Sequence, residues 1–204
     1  MNDDALIIFV KNLIAGRVKT RLAATMGNDA AMDIYKQLLL NTHNIIRSFE
    51  ADKFVFYSDF MEDDIWKNDL FQKKLQGGND LGERMENAFK NLFTIDYKKS
   101  IIIGTDCPEI NGNILKNAFK KLDDFDVVIG PATDGGYYLL GIKKEHPFLF
   151  RDIKWSTNEV MNQTIELCKR NQLSYFLLPE LSDIDEEKDL KHLKNLFPLK
   201  QHIS

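Results

Sequence analysis

"SIIIGTD" (residues 100–106) and "FDVVIGPA" (residues 125–132) decide how this chain folds. Each holds an uninterrupted run of β-branched residues, so neither leaves a face for water. Such runs mark strands of a parallel sheet that helices cover on both sides. Each also ends in glycine and then a short stretch rich in acidic and turn-forming residues. Outward from these two, "ALIIFV" (5–10), "KFVFYS" (53–58) and "LSYFLLP" (173–179) read as further strands. "GGYYLLGI" (135–142) reads as a strand beside its predecessor, because "DGG" signals a tight return.

Helical spacing fills the intervals. Ala31, Ile34, Leu38, Thr42, Ile45 and Phe49 fall on one face of 28–49, and Leu81, Met85, Ala88 and Leu92 on one face of 80–93. Residues 113–122, 157–170 and 186–197 read as three more helices. The alternation predicts an α/β fold, a three-layer α/β/α sandwich with a mainly parallel sheet, as one domain over 1–204. Residues 59–79 break the rhythm and read as a long irregular loop, a feature often functional in compact domains.

Composition narrows the function. The 204-residue chain has formal net charge -4, which argues against a nucleic-acid partner. Its apolar runs are too short for a membrane span or a signal-peptide core. Cys107 and Cys168 belong to no CxxC or Cys/His cluster, which fits a reducing, cytoplasmic setting and gives no zinc site. Cys107, with no histidine near it in sequence, reads as a small buried residue.

In open α/β sheets, ligands bind beyond the carboxyl ends of the strands. The residues with chemical potential gather there. After the first strand, "VKNLIAGRVKTRL" (10–22) sets Gly16, Arg17, Lys19 and Arg21 together with no acidic residue among them. Glycine permits close backbone approach, and three cations can neutralise phosphate charge, so the loop reads as an anion site rather than a solvated helix face. No GxxxxGK[ST] or GxGxxG spacing is present. Asp106 stands where a strand meets solvent and can hold a divalent cation; the alternative is a cap for the next helix, for which Asn111 or Asn113 is better placed. Asp183 and Asp185 alternate, so in an extended segment both point one way and repel unless a cation lies between them; otherwise they are a solvated turn with Asp185 as helix N-cap. Asp134, Gly135, Gly136 and Tyr137 form a turn at the sheet rim that can face a substrate. Gly78 and Asp80 lead into a helix, capped by Asp80 or Asn79, and can line a base or ribose. Trp155 and Ser156 are candidates for an acceptor wall.

"GRVKTRL", "DLGERM", "GTDCPEI", "GPATDGGYYLLG", "WST" and "DIDEEKDL" occur in the order seen in an uncharacterised bacterial family of GT-A-type glycosyltransferases. The chain resembles that family, part of the nucleotide-diphospho-sugar transferase superfamily and in places labelled arsenosugar-biosynthesis glycosyltransferases, over nearly its whole length. It is more distantly similar to phospholactate guanylyltransferases. The resemblance implies an α/β/α sandwich that binds a nucleotide and a divalent cation, Mg²⁺ or Mn²⁺. Arg17, Lys19 and Arg21 match the phosphate-side loop, and Asp106 matches the metal- or nucleotide-binding aspartate. In the guanylyltransferases the last Asp-x-Asp pair also holds metal, here Asp183 and Asp185. Leu13 and Ala15 stand where the family carries proline, which predicts a looser opening loop. Cys107 replaces a family serine.

The leading expectation is a metal-dependent glycosyltransferase that moves a sugar from a nucleotide sugar to a small-molecule acceptor. Arg17 and Lys19 would stabilise the leaving diphosphate, and Asp134 would orient or deprotonate the acceptor. The alternatives are nucleotidyl transfer from an NTP to a phosphorylated or carboxylated acceptor, with pyrophosphate leaving, and a non-catalytic nucleotide-binding protein. Oligomeric state is not legible.

Overall fold

The computed structural model describes residues 3–194. Its elements run β1 (Asp4–Val10), α1 (Thr20–Met26), α2 (Asn28–Ile46), β2 (Asp52–Tyr57), β3 (Gln72–Leu75), α3 (Leu81–Phe93), β4 (Lys99–Ile103), α4 (Gly112–Asp124), β5 (Val127–Pro131), β6 (Tyr137–Ile142), α5 (Val160–Arg170), β7 (Tyr175–Leu177) and α6 (Leu190–Lys194). The strands form one sheet in the order β3-β2-β1-β4-β6-β5-β7. Only β6 runs against its neighbours β4 and β5; the other pairs are parallel.

Alternation along the strands makes two cores. Leu6, Ile8, Val55, Ile101, Ile103 and Val128 face α2 and α4, meeting Tyr35, Leu39, Leu115 and Phe119. Ile7, Phe54, Phe56, Ile102, Ile129 and Leu140 face α3 and α5, meeting Met85, Phe89, Leu92 and Cys168. The central strands are buried on both faces, which is why they carry no polar alternation. A smaller third cluster joins Leu22 of α1 and Leu38 of α2 to Ile184 and Leu193. It fastens the segment after the basic loop to the acidic segment near the C-terminal end of the described residues.

Several expectations shift. β3 lies inside the stretch read as irregular. Its "QKKL" sequence lacks an apolar pattern because it is an edge strand, where lysines block further pairing. α1 is a separate helix, parted from α2 by Gly27 at φ 86°. α5 begins at Val160, later than the expected 157, with Glu159 at its N-cap position and Ser156 in the left-handed conformation at φ 61° in the turn before it. Asp185 does not cap the last helix. A 3-10 turn, Glu187–Asp189, follows Glu186, and the Asp189 carboxylate accepts from the backbone N–H groups of Asp185 and Glu186 at 3.1 and 2.8 Å. Residues 195–197 of the expected closing helix lie outside the described residues. Among the described residues no helix is long and apolar enough to cross a membrane.

Gly82 in the first turn of α3 fixes how that helix sits. A Cβ there would lie 2.3 Å from Trp155 Nε1 and 2.5 Å from the Phe150 carbonyl oxygen. In an exposed helix Gly→Ala stabilises by about 1 kcal/mol. Here Gly82→Ala is expected to destabilise by about 1–3 kcal/mol, because the indole cannot remain seated. Thermal denaturation checks this, and a raised Tm would show that Trp155 does not rest on α3.

Candidate active site

The carboxyl ends of β1, β2 and β4 open into a cleft of about 760 Å³. The basic loop that leaves β1 forms one edge. Its first residues are pinned: Lys11 N donates to Tyr35 Oη at 2.8 Å, and Tyr35 Oη donates back to the Lys11 carbonyl at 3.2 Å. Burial raises the Tyr35 phenol well above its ordinary pKa, so it serves as a neutral hydrogen-bonding post. Asn12 is buried and grips the segment after β2. Its Nδ2 donates to the Phe60 carbonyl at 2.8 Å and to Glu62 Oε1 at 2.9 Å, while its Oδ1 accepts from Asp59 N at 3.0 Å. Leu13 packs against the larger core. The expected looseness at Leu13 and Ala15 is therefore met by side-chain anchors in place of proline.

Each expected phosphate-binding cation has an acidic partner. Arg17 Nη1 lies 3.1 Å from Asp59 Oδ1, and Arg21 Nη1 lies 2.6 Å from Asp185 Oδ2, both pairs being well exposed. Lys19 differs. Its side chain is only 4% exposed, its Nζ sits 2.8 Å from Asp106 Oδ1, and it also donates to the Ile184 carbonyl. Its backbone lies in the left-handed region at φ 48°, ψ 47°, rare for a residue with a Cβ. Lys19 stands at the N-cap position of α1. Ile184 N in turn donates to the Asp106 carbonyl at 2.9 Å, so the loops after β1, β4 and β7 meet at one point.

The acidic side is equally particular. Asp183 Oδ1 is shut off from solvent and has no hydrogen-bond partner. Burial, with Asp106 and then Asp134 nearby, pushes its carboxyl up to about 7. A buried carboxylate without a partner among like charges is suited to a cation. Asp106 and Asp183 are the residues that fit one. Asp185, expected as a third ligand, is instead turned to Arg21, and no ready set of three acidic, histidine or cysteine ligands exists among the described residues. Two carboxylates suffice for Mg²⁺, which keeps several waters and takes the remainder from substrate phosphates.

Asp134 is exposed and its Oδ1 accepts from Gly136 N at 2.9 Å. It reaches the cluster through its charge on Asp183 but does not line the cleft. Gly135, at φ 89°, is packed against the backbone of Asn158, where a Cβ would sit 2.2 Å from the carbonyl oxygen. The glycines thus shape the turn, whereas Tyr137 and Ser156 reach the cleft wall. Trp155 rests on Gly82 outside the lining, so it holds the segment bearing Ser156 rather than forming the wall itself. Asp80 lines the cleft and caps α3 by accepting from Glu83 N at 2.8 Å. Gly78, at φ 139°, lies hard against Arg84 N, where a Cβ would come within 2.7 Å. Cys107 is buried, its thiol pushed up by burial, and so no nucleophile. Asn12, Tyr35, Asp59 and Arg84 line the site without having been singled out from sequence. Arg84 lay in view within "DLGERM", one helical turn after Asp80.

Residues 41–157 match a family described as "Uncharacterized protein conserved in bacteria (DUF2064)". A 2-phospho-L-lactate guanylyltransferase from Methanocaldococcus jannaschii is 28% identical, across 85% of this chain and 75% of that protein. A Desulfovibrio desulfuricans G20 crystal structure, provisionally assigned as a nucleotide-diphospho-sugar transferase, superposes with TM-score 0.90 at 31% identity, covering 98% of this chain and 90% of that one. The CMP:2-keto-3-deoxy-manno-octonic acid synthetase complexed with CTP superposes with TM-score 0.56 at 10% identity, over 95% and 97% of the two chains. The fold is that of the nucleotide-diphospho-sugar transferases and cytidylyltransferases.

Proposed function

The chain belongs to this bacterial family, and from that premise we propose that it is a nucleotidyltransferase that moves a nucleoside monophosphate from an NTP to a small acceptor and releases pyrophosphate. The observation that carries the reading is the junction of three loops, where the buried Lys19 ammonium, Asp106 and the unpartnered Asp183 oxygen converge beneath a cleft of nucleotide size. The guanylyltransferase relative supports nucleotidyl over sugar transfer.

In this reading the acceptor oxygen forms a bond to the α-phosphorus, the bond to the bridging oxygen breaks, and pyrophosphate carries away the electron pair. Lys19 holds its positive charge at a fixed point beside the phosphates, already desolvated, which makes it effective against charge that grows in the transition state. Arg17 lines the cleft and, released from Asp59, would clamp an outer phosphate, whereas Arg21, outside the lining and paired with Asp185, would act at longer range through its charge. A divalent cation held by Asp106 and Asp183 would neutralise phosphate charge and orient the reacting oxygens. Asp134, outside the cleft lining, would act on the acceptor side only through its charge on Asp183.

Thermal stabilisation by NTPs and by nucleotide sugars, each with Mn²⁺, tests the reading. The expected result is stabilisation by an NTP that disappears in Asp106→Asn, and pyrophosphate release once an acceptor is supplied. The likeness to the Desulfovibrio protein favours the second reading, sugar transfer. Stabilisation by a nucleotide sugar alone, with a nucleoside diphosphate as product, would replace the first reading with the second.

A further inference from the structure

The ladder that joins β1 to β4 stops short of the cleft. Its last paired residues are Ile8 and Ile103. Beyond them residues 9–11 and 104–106 leave the ladder, and all six line the cleft. A side chain from α2 bridges the two segments there. Tyr35 is buried in the same apolar core as Ile8, Leu39 and Ile103. Its Oη accepts from Lys11 N at 2.8 Å, donates to the Lys11 carbonyl at 3.2 Å, and accepts from Thr105 Oγ1 at 3.3 Å. Thr105 is itself buried and directly precedes Asp106.

The phenol oxygen is thus saturated, with one hydrogen bond given and two received. No proton is left over for a ligand. Burial, and then the charge of Asp106, raise the phenol above its ordinary pKa, so it keeps that proton. A phenylalanine would fill the same apolar space without the cost of burying a hydroxyl. What the hydroxyl adds is confined to the two loops it joins. Asp106 is fixed from its other side by the Lys19 ammonium on Oδ1 and by Ile184 N on its carbonyl. The bond between Tyr35 and Thr105 completes that hold at the position just before the carboxylate.

We propose that Tyr35 is a positioning residue for the cation site, holding Asp106 in place relative to the loop after β1 by way of Thr105. The inference rests on the reading above, in which Asp106 and Asp183 take a divalent cation. Groups that stand behind a metal ligand fix its orientation, and losing one lowers metal affinity by about 10–100-fold. The lower end, about tenfold, is expected here, because Tyr35 acts through the backbone between Thr105 and Asp106.

Titration of the nucleotide-free protein with Mn²⁺, followed by the electron paramagnetic resonance of the free ion, tests it. Each variant is titrated well below its own Tm, so that unfolding does not enter. Tyr35→Phe should weaken Mn²⁺ binding about tenfold. Thr105→Val keeps the shape of the side chain without its hydroxyl and should weaken binding too. Thr105→Ser keeps the hydroxyl and should bind as wild type does. The double variant Tyr35→Phe/Thr105→Val should bind no worse than Tyr35→Phe alone, because both changes remove one link. A merely structural tyrosine would lower the Tm and leave Mn²⁺ affinity where it was. Wild-type affinity in Tyr35→Phe or in Thr105→Val, losses that add in the double variant, or a loss in Thr105→Ser equal to that in Thr105→Val would each overturn the positioning role while the cation site stood. If Tyr35→Phe does not fold, the two Thr105 variants decide alone. Failure of the wild-type protein to bind Mn²⁺ would overturn the cation site and this inference together.

Discussion

Lys19→Met is expected to weaken binding of an NTP with Mg²⁺ by about 10–100-fold, the loss of one charge-assisted contact of about 1.5–3 kcal/mol. Methionine matches the lysine stem out to the ε position and removes the ammonium. That ammonium spends one N–H on Asp106 Oδ1 and one on the Ile184 carbonyl, leaving one for a ligand. Because its side chain is 4% exposed, water cannot take over the contact. The stability effect should be smaller than the binding effect, since Asp106, at 39% exposure, can be solvated when its partner goes. Arg17→Ala is the internal contrast: its pair with Asp59 is exposed, so it should change affinity less and respond to salt. Calorimetric titration of both variants with an NTP and with the corresponding nucleoside separates the roles. If Lys19→Met binds the NTP as wild type does, Lys19 is a strut for the Asp106 loop and the phosphate assignment is wrong.

The parts of this molecule that were legible in sequence are those where burial imposes a pattern. "SIIIG" and "DVVIG" are buried on both faces, so their composition alone marks β4 and β5 and the carboxyl edge where ligands sit. The helices packed on the sheet were legible because Leu81, Met85, Ala88 and Leu92 repeat with helical spacing. β3 was not legible, because "QKKL" on an edge has one paired side and no apolar period. The basic loop and Asp106 could be found from position and charge, but their pairing could not. Sequence alternation put Asp183 and Asp185 on one side, whereas the local backbone sends Asp183 inward and Asp185 to Arg21. Between them Ile184 is fully buried in the third cluster with Leu22, which anchors the segment to α1. Trp155 was equally ambiguous, since an indole before a helix serves a cleft or a core, and the missing Cβ of Gly82 decides for the core. Arg84 escaped notice because a single arginine in a helix is ordinarily a solvated residue, and only the cleft gives it a different meaning.

Asp183→Asn should move stability in opposite directions with and without a cation. In the metal-free protein the Asp183 carboxyl is raised to about 7 by burial and by the charges of Asp106 and Asp134. In the unfolded chain it titrates near the ordinary aspartate value of about 3.9. The folded state therefore binds the extra proton, and stability falls as pH rises between those two values, with the full penalty present above pH 7. Asparagine removes the charge and the penalty together. At pH 8 without metal the variant should melt above wild type, by about 2–4 °C for each kcal/mol relieved in a chain of this size. At pH 4 the two should nearly coincide. Adding Mn²⁺ at pH 8 should raise the wild-type Tm, because the cation binds the folded state and supplies the charge that Asp183 lacks. The variant should respond weakly, and with enough Mn²⁺ the order of the two melting temperatures should reverse. That crossing is the signature of a carboxylate held in readiness for a cation at a local cost in stability. A variant that melts below wild type at both pH values, with an unchanged Mn²⁺ response, would instead make Asp183 a structural residue and move the cation elsewhere in the cleft.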